Sequence, residues 1–95
     1  MKNGYVYIIT NKNNTVLYIG VTSNLPKRIY EHKNKIFDGF SKEFNLYKLV
    51  YYEGHDSMEA AIIREKQLKK WKREWKDKLI NEKNIYRNDL SEELQ

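Results

Sequence analysis

The sequence predicts a small α/β domain of the α+β layer type, with a three-stranded, mainly antiparallel sheet flanked by helices. Segments rich in β-branched and aromatic residues alternate with segments of helical periodicity, in the order strand, strand, helix, strand, helix, helix. The chain has 95 residues, enough for one hydrophobic core. Its eight tyrosines, three phenylalanines and two tryptophans supply the bulk that so small a core needs.

Two strands near the N-terminus are expected to pair as an antiparallel hairpin. Residues 5–10 and 16–21 are aromatic and β-branched, and the polar residues 11–14 between them are a turn signal. With the turn centred on the middle of that cluster, Tyr7 lies directly opposite Tyr18 on one face of the sheet. The register is assumed, because a slip of one residue would place the two tyrosines on opposite faces.

The first helix is expected over residues 25–36. Polar N-cap residues ending at Asn24 precede it, and Pro26 falls within its first turn. Asp38 and Gly39 are expected to end the helix, and a polar stretch follows.

A third strand and two further helices complete the predicted order. The strand covers residues 46–52. The next helix covers residues 57–69, with Asp56 as its N-cap and Glu59 three residues later, as in a capping box. The last helix covers residues 72–80.

The domain boundary is placed near residue 87. Residues 1–87 contain all the predicted elements, and residues 88–95 form an acidic C-terminal tail. We expect this tail to fray.

Composition limits the function classes. The chain has no cysteine, which excludes a disulfide framework and a thiolate zinc site. No apolar run approaches the roughly 20 residues of a membrane helix, and the N-terminus lacks a secretory signal, so the cytoplasm is the expected compartment. The net charge of +5 fits an electrostatic footprint for nucleic acid, and it equally fits a solvated basic surface.

Arg28, His32 and Glu65 are polar residues on helix faces that periodicity predicts to be buried. The apolar residues that define those faces are Leu25, Ile29 and Ile36 in the first helix and Met58, Ala61, Ile62 and Leu68 in the next. A buried carboxylate must be paired, hydrogen-bonded or bound to a metal. One interpretation is a salt bridge between Glu65 and Arg28 or His32. The other is a functional site, which three such residues beside a tyrosine pair favour.

A row of basic residues is expected on one side of the C-terminal helical stretch. Its members are Lys66, Lys69, Lys70, Arg73 and Lys76. The opposite side carries Trp71 and Trp75, which are therefore interpreted as core residues and not as base-stacking platforms. The row is interpreted either as a track for phosphates or as a solvated face, and solvated faces are the more common case.

Five short segments resemble, in order, the motifs of the GIY-YIG nuclease superfamily, in particular its small stand-alone bacterial members. The paired motif that gives the superfamily its name is matched by YVY at 5–7 and, after ten intervening residues, by YIGVT at 18–22. Further matches are NLPKRIYEH at 24–32, LVYYE at 49–53 and AAIIREKQL at 60–68. The resemblance extends from residue 4 to about residue 90.

The resemblance implies a divalent-metal-dependent endonuclease that hydrolyses phosphodiester bonds in DNA or RNA. Tyr7 then matches the general base, with Tyr18 or His32 assisting, and Arg28 matches the arginine that holds the phosphate. Glu65 matches the glutamate that binds one Mg²⁺ or Mn²⁺. Since the pKa of tyrosine is ordinarily about 10, Arg28 and the metal would have to lower that of Tyr7.

Nucleic acid is the partner that the resemblance implies, DNA in preference to RNA, and a protein that presents the substrate is left open. A non-cleaving nucleic-acid-binding module of the same fold is the alternative. A tyrosine nucleophile that forms a covalent intermediate is ranked last.

The sequence departs from the family pattern at three places. Tyr5 replaces the glycine of the first motif, and Gly4 comes one place early. Val21 stands where some relatives carry a lysine. The asparagine that relatives carry near the C-terminal end could be Asn81 or Asn84.

Overall fold

A three-stranded antiparallel sheet forms the centre of the fold in the computed structural model, which describes residues 2–36 and 39–94. The strands are β1 (Gly4–Thr10), β2 (Leu17–Thr22) and β3 (Lys48–His55). Their order in the sheet is β2-β1-β3, so β1 is central and β2 and β3 are edges. Both pairings are antiparallel, which confirms the predicted sheet and fold class.

Helices cover both faces of this sheet. They are α1 (Leu25–Lys33), the single turn α2 (Phe40–Glu43), α3 (Met58–Lys70) and α4 (Arg73–Asn84), followed by a 3-10 helix (Leu90–Leu94). Helix α3 lies over β1 and β2, and α4 lies over β3. Helix α1 and the 3-10 helix contact each other beside the sheet. Within the part of the chain that the structure describes, no helix is both long enough and apolar enough to cross a bilayer.

The central strand supplies both hydrophobic clusters of the domain. Val6 and Ile8 belong to the cluster under α3 and α4, whereas Tyr7 and Ile9 belong to the cluster that includes Leu25 of α1. Because side chains alternate along a strand, Tyr7 therefore faces α1. A strand covered on both faces needs apolar residues at successive positions, which explains the run at 6–9.

The register of the β1–β2 hairpin differs from the prediction. Tyr7 pairs with Gly20, and Tyr18 pairs with Ile9, so the two tyrosines share a face but are diagonal neighbours. The loop is held by the side chain of Asn11, whose Oδ1 accepts hydrogen bonds from the backbone N–H groups of Thr15 (2.8 Å) and Val16 (3.3 Å). These bonds move the centre of the turn toward the C-terminus and shift the pairing.

Helix α1 begins as predicted and ends early. The Oδ1 of Asn24 accepts a hydrogen bond from the backbone N–H of Lys27 (3.2 Å), which confirms the N-cap. The helix ends at Lys33 because Lys35 adopts a left-handed conformation (φ 54°). Ile36, expected on the buried face, is largely exposed. The predicted terminator Asp38 lies outside the described residues.

The N-cap of α3 is Ser57, so the predicted capping box at Asp56 and Glu59 is wrong. The Oγ of Ser57 accepts a hydrogen bond from the backbone N–H of Ala60 (3.1 Å). Asp56 instead forms an ion pair with Lys2 (3.1 Å). The shift of one residue follows from β3, which extends to His55 and so passes beyond the predicted strand.

A break separates α3 from α4, which changes the predicted basic row. Trp71 and Lys72 are extended, with ψ near 150°, so the row is divided between two helices. The guanidinium of Arg73 donates to the backbone carbonyls of Asn14 (2.8 Å) and Thr15 (3.0 Å), which fastens α4 to the hairpin loop. Trp75 is 51% exposed, which contradicts its assignment to the core.

Residues 90–94 of the acidic C-terminal segment form the 3-10 helix. Leu90 and Leu94 of the 3-10 helix pack against the cluster beneath α1. Asp89 forms an ion pair with Lys33 and accepts a hydrogen bond from the backbone N–H of Leu49 (3.3 Å). These contacts tie the segment to α1 and β3, and they were not visible as a sequence pattern.

Candidate active site

The side chains of Tyr7, Tyr18 and His32 meet over the sheet near its β2 edge. The ring of Tyr7 lies over Gly20 so closely that a Cβ at that position would be 2.4 Å from its hydroxyl oxygen. The ring centroids of Tyr7 and Tyr18 are 5.7 and 6.0 Å from that of His32. The structure therefore brings together three predicted site residues, despite the change of register.

A buried hydrogen bond joins Tyr7 to His32. The Oη of Tyr7 is 3.0 Å from the Nε2 of His32. His32 is only 6% exposed and Tyr7 is fully buried. His32 occupies this position because it lies on the inner face of α1, within the stripe formed by Leu25 and Ile29.

The electrostatics of this pair favour the uncharged form of both side chains. Burial and the nearby Arg28 lower the pKa of His32, so the imidazole is neutral at pH 7. Burial and Tyr18 raise the pKa of Tyr7 to about 12, which outweighs the opposing effect of Arg28. Both groups are therefore uncharged, and the hydroxyl of Tyr7 donates to the Nε2 of His32 when the imidazole carries its proton on Nδ1. In the protein alone, burial outweighs the effect of Arg28 on the pKa of Tyr7, so the expected lowering depends on the metal.

Arg28 connects this buried pair with solvent. It is close enough to Tyr7 to form a hydrogen bond, and its side chain is 36% exposed. Its Nε lies 3.7 Å from the Oε1 of Glu31, a weak ion pair. Arg28 and Glu31 also line an open polar cavity of about 380 Å³, together with Thr22, Ser23, Asn24 and Lys27. A guanidinium in this position can bind an anion that enters the cavity.

Glu65 approaches the site from α3, on the opposite side of the sheet. Its negative charge raises the pKa of Tyr7, although less than burial and Tyr18 do. The side chain is 13% exposed and forms an ion pair with Lys69 one turn later (3.2 Å). Lys69 is not one of the partners expected from the sequence, Arg28 and His32, although a spacing of four residues on one helix is a sequence signal for such a pair.

The donors at this site fit only one kind of metal ion. Within residues 2–36 and 39–94, no group of three or more His, Cys, Asp or Glu side chains gathers as a metal cage. Mg²⁺ and ions like it are commonly held by one or two carboxylates, with water and substrate phosphates completing the shell. Glu65 fits that role as a single anchor, whereas a structural zinc site would need more protein ligands.

Two of the departures from the family pattern have structural explanations. A Cβ on Gly4 would lie 2.9 Å from the Cβ of Ala61, so this glycine allows β1 to approach α3. Asn84 is buried and donates to the backbone carbonyls of Val50 (3.1 Å) and Asn88 (2.9 Å), whereas Asn81 is exposed. Asn84 therefore joins the end of α4 to β3.

The predicted basic residues have different environments. Lys66, Lys69 and Lys70 are exposed at the C-terminal end of α3, close in sequence to Glu65. Lys76 of α4 is half-buried. Arg73 has the structural contacts described above, so its guanidinium is engaged by the hairpin loop and by Asp77 (3.2 Å).

Comparisons with known proteins agree with this arrangement. Residues 3–81 match the model of the GIY-YIG catalytic domain. A UPF0213 protein of Clostridium perfringens is 37% identical over 90 residues, which cover 95% of this chain and 96% of the relative. A UPF0213 protein of Syntrophus aciditrophicus is 37% identical over 83 residues, covering 86% of this chain and 94% of the relative.

A solved structure shares the fold. The solution NMR structure of a UPF0213 protein from Bacillus halodurans is 27% identical to this chain, has a TM-score of 0.55 and is matched over 85% of each chain. The sequence matches, the sheet and the position of the tyrosine, histidine and arginine side chains lead to one assignment: the chain belongs to the GIY-YIG catalytic-domain family.

Proposed function

We propose that the protein is a divalent-metal-dependent endonuclease that hydrolyses phosphodiester bonds in DNA or RNA, with DNA as the preferred substrate. The observation that carries the proposal is the buried hydrogen bond between Tyr7 and His32, 3.0 Å long, beside the guanidinium of Arg28. A proton donor, a neutral proton acceptor and a fixed cation in one place are the groups that phosphodiester hydrolysis needs.

Tyr7 and His32 together form the proposed proton acceptor. With a pKa of about 12, Tyr7 is a phenol at neutral pH and cannot act as a base by itself. Its hydroxyl can accept a proton from the attacking water while it passes its own proton to the Nε2 of His32. His32 is ready for this role because its lowered pKa keeps the ring neutral. Tyr18 packs against His32 and holds the ring in place.

Arg28 is the proposed phosphate-binding residue. Its planar fork can donate two hydrogen bonds to phosphate oxygens, and its charge opposes the negative charge that grows in the transition state. Arg28 lines an open cavity and lies beside Tyr7, so a phosphate held there is close to the proton acceptor.

Glu65 is the proposed metal anchor. Bound Mg²⁺ or Mn²⁺ would stabilise charge on the phosphate and on the leaving oxygen. Before the metal can bind, the carboxylate must break its ion pair with Lys69, whose exposed side chain can then turn toward solvent. Since no three carboxylate or histidine side chains gather among the described residues, we expect metal affinity to be weak until substrate phosphates complete the shell.

A cleavage screen tests the proposal. Duplex, nicked, branched, flapped and single-stranded DNA and RNA are incubated with Mg²⁺ or Mn²⁺, with a chelator as the control. We expect cleavage that requires the metal. A repeat in cell lysate tests for a protein that presents the substrate, and the cytoplasmic location stays part of this proposal.

The alternative function, a nucleic-acid-binding module that does not cut, has its own outcome in this screen. If no substrate is cleaved with either metal, in buffer or in lysate, while nucleic acid is still bound, the binding module is the better description. A protein–DNA adduct that survives denaturation would instead favour Tyr7 or Tyr18 as a covalent nucleophile.

A further inference from the structure

A second candidate binding surface lies on α4, away from Tyr7 and His32. The side chains of Trp71, Trp75, Lys78, Leu79 and Glu82 line an open groove of about 380 Å³. The rings of Trp71 and Trp75 are 6.2 Å apart and nearly perpendicular, at 83°. The groove therefore has two aromatic surfaces that meet as a wall and a floor.

Trp71 forms the fixed wall of this groove, and Trp75 forms a floor that is exposed to solvent. Trp71 packs against the core cluster, and the guanidinium of Arg64 lies 5.3 Å from the centre of its ring. Trp75, in contrast, is 51% exposed. A half-exposed tryptophan beside a groove leaves a large apolar surface in water, which is unfavourable for a residue that serves only the core.

The helical segment that carries the groove is rich in positive charge, although the groove lining itself holds one lysine and one glutamate. Residues 64–83 contain nine lysines and arginines against four acids, a surplus of five that equals the net charge of the whole chain, +5. Lys78 lies in the groove itself, and Lys72 begins the same helix one turn before Trp75. Aromatic rings bordered by lysines match a polyanion that carries flat, stackable groups.

We propose that this groove binds an unpaired nucleobase of a single-stranded segment of the substrate. The inference rests on the proposed function in taking nucleic acid as the substrate. The base stacks on Trp75 against the wall formed by Trp71, and the neighbouring lysines contact the phosphates on either side. The carboxylate of Glu82 can accept a hydrogen bond from the amino group of the base.

This arrangement selects a class of substrate. In the interior of a duplex both faces of each base are already stacked on neighbouring pairs, so only the outer face of a terminal pair could stack on Trp75. A flap, an overhang or a loop exposes the faces of its bases and can occupy the groove. The protein therefore prefers substrates with a single-stranded segment to blunt duplexes.

The two tryptophans of the chain both line the groove, so their fluorescence reports directly on its occupancy. Metal-free protein is titrated with a single-stranded oligodeoxycytidine and with a blunt duplex of the same length. We expect the single strand to quench the fluorescence and to bind more tightly. Trp75→Leu should weaken single-strand binding by about 5- to 150-fold, the range for loss of one stacked base, and Trp75→Phe should retain most of it.

Tyr86→Leu is the matched control, because Tyr86 is an aromatic residue that is 84% exposed elsewhere on the surface. This variant should bind like the wild type, and circular dichroism of each variant checks the fold. Equal affinity of Trp75→Leu and the wild type for the single strand would overturn the inference. A wild type that sediments as a dimer, and that Trp75→Leu converts to a monomer without loss of single-strand binding, would assign the groove to a second copy of the chain.

These measurements fail independently of the proposed function, because they use no metal and no cleavage. A protein that cleaves with metal while Trp75→Leu binds single strands as well as the wild type contradicts only the groove. A protein that binds single strands through Trp75 but cleaves nothing contradicts only the nuclease.

Discussion

Among the described residues, a tyrosine, a histidine, an arginine and a glutamate occur together at two places. On the face covered by α3, Glu53 accepts hydrogen bonds from the hydroxyl of Tyr51, the Nε2 of His55 (3.0 Å) and the Nε of Arg64 (2.8 Å). One carboxylate thus satisfies three donors, and it ties β3 to α3. The pKa of Glu53 reflects this: burial raises it, and the hydrogen bonds from Tyr51, Arg64 and His55 outweigh burial and lower it.

The cluster on the α1 face is organised differently. Tyr7 and His32 are bonded to each other, but Arg28 is 3.7 Å from its carboxylate partner Glu31 and lines an open cavity. Glu65 is paired with a lysine that is itself half-exposed. The comparison teaches that the residue types do not define a site. The two clusters differ in whether their charged side chains are all bonded to one another inside the protein or lie beside an open cavity.

The largest expected difference between the clusters is in their glutamates. Glu65→Gln should lower metal-dependent cleavage by about 10³-fold or more, because it removes the only proposed protein ligand of the metal. Glu53→Gln should leave cleavage at a permissive temperature within a few-fold of the wild type. It should lower the free energy of unfolding by about 1–3 kcal/mol, because it weakens three buried hydrogen bonds. Cleavage rates and thermal melts of both variants decide the point, and the reverse pattern would exchange the roles of the two clusters.

The tyrosines provide the next contrast. Tyr7→Phe should retain nucleic-acid binding and lose roughly 10²–10⁴-fold in cleavage, because the ring stays and the proton-transferring hydroxyl is lost. Tyr51→Phe removes a hydroxyl from the other cluster and should affect stability more than rate. Single-turnover cleavage and a binding assay should be run on both. Normal cleavage by a folded Tyr7→Phe variant would exclude Tyr7 from the chemistry.

Substitutions of the two arginines should differ less in their effect on cleavage than those of the glutamates and tyrosines. Arg28→Lys keeps the charge but lacks the planar fork, so we expect cleavage to fall by about 10- to 100-fold. Arg64→Lys is the comparison from the other cluster, because Arg64 bonds Glu53, and a duplex substrate keeps its contact with Trp71 out of the measurement. Measurement of kcat and KM for both should show the loss in Arg28→Lys alone. Full activity in Arg28→Lys would mean that the residue supplies only a point charge.

The smallest expected effect is the dependence of cleavage on pH. The relay requires a neutral His32, and the pKa of His32 is lowered from its usual value, so the rate should fall only below about pH 6.5, toward tenfold per pH unit. It should be flat above that value, because the Tyr7 phenol titrates only at about pH 12. A rate that climbs tenfold per unit from pH 7 to 10 would identify a phenolate as the base and contradict the relay.

The free energy of unfolding should also decline as pH falls below about 6.5, because the unfolded chain binds the His32 proton more readily.

The sequence was sufficient for the fold and for the burial of Leu25, Ile29 and His32 on α1, but not for Ile36. Strand composition and the cap at Asn24 predicted the elements, and the position of His32 on an apolar stripe predicted its burial. The hairpin register could not be predicted from the sequence, because four polar residues in a row permit several turns. The choice among them depends on the side chain of Asn11. The exposure of Trp75 was also hidden, because the helix break before it contains neither glycine nor proline.

The contact between Tyr7 and Gly20 has a consequence for recognising this site in distant sequences. Any side chain at position 20 would occupy the space of the Tyr7 hydroxyl, since even a Cβ would lie 2.4 Å from it. The tyrosine of the first motif and the glycine of the second are therefore one packing unit, although twelve residues separate them. A chain that retains the tyrosine but replaces this glycine would match part of the motif and leave no room for the tyrosine hydroxyl. For the same reason, grafting either half of the motif alone into another hairpin would fail.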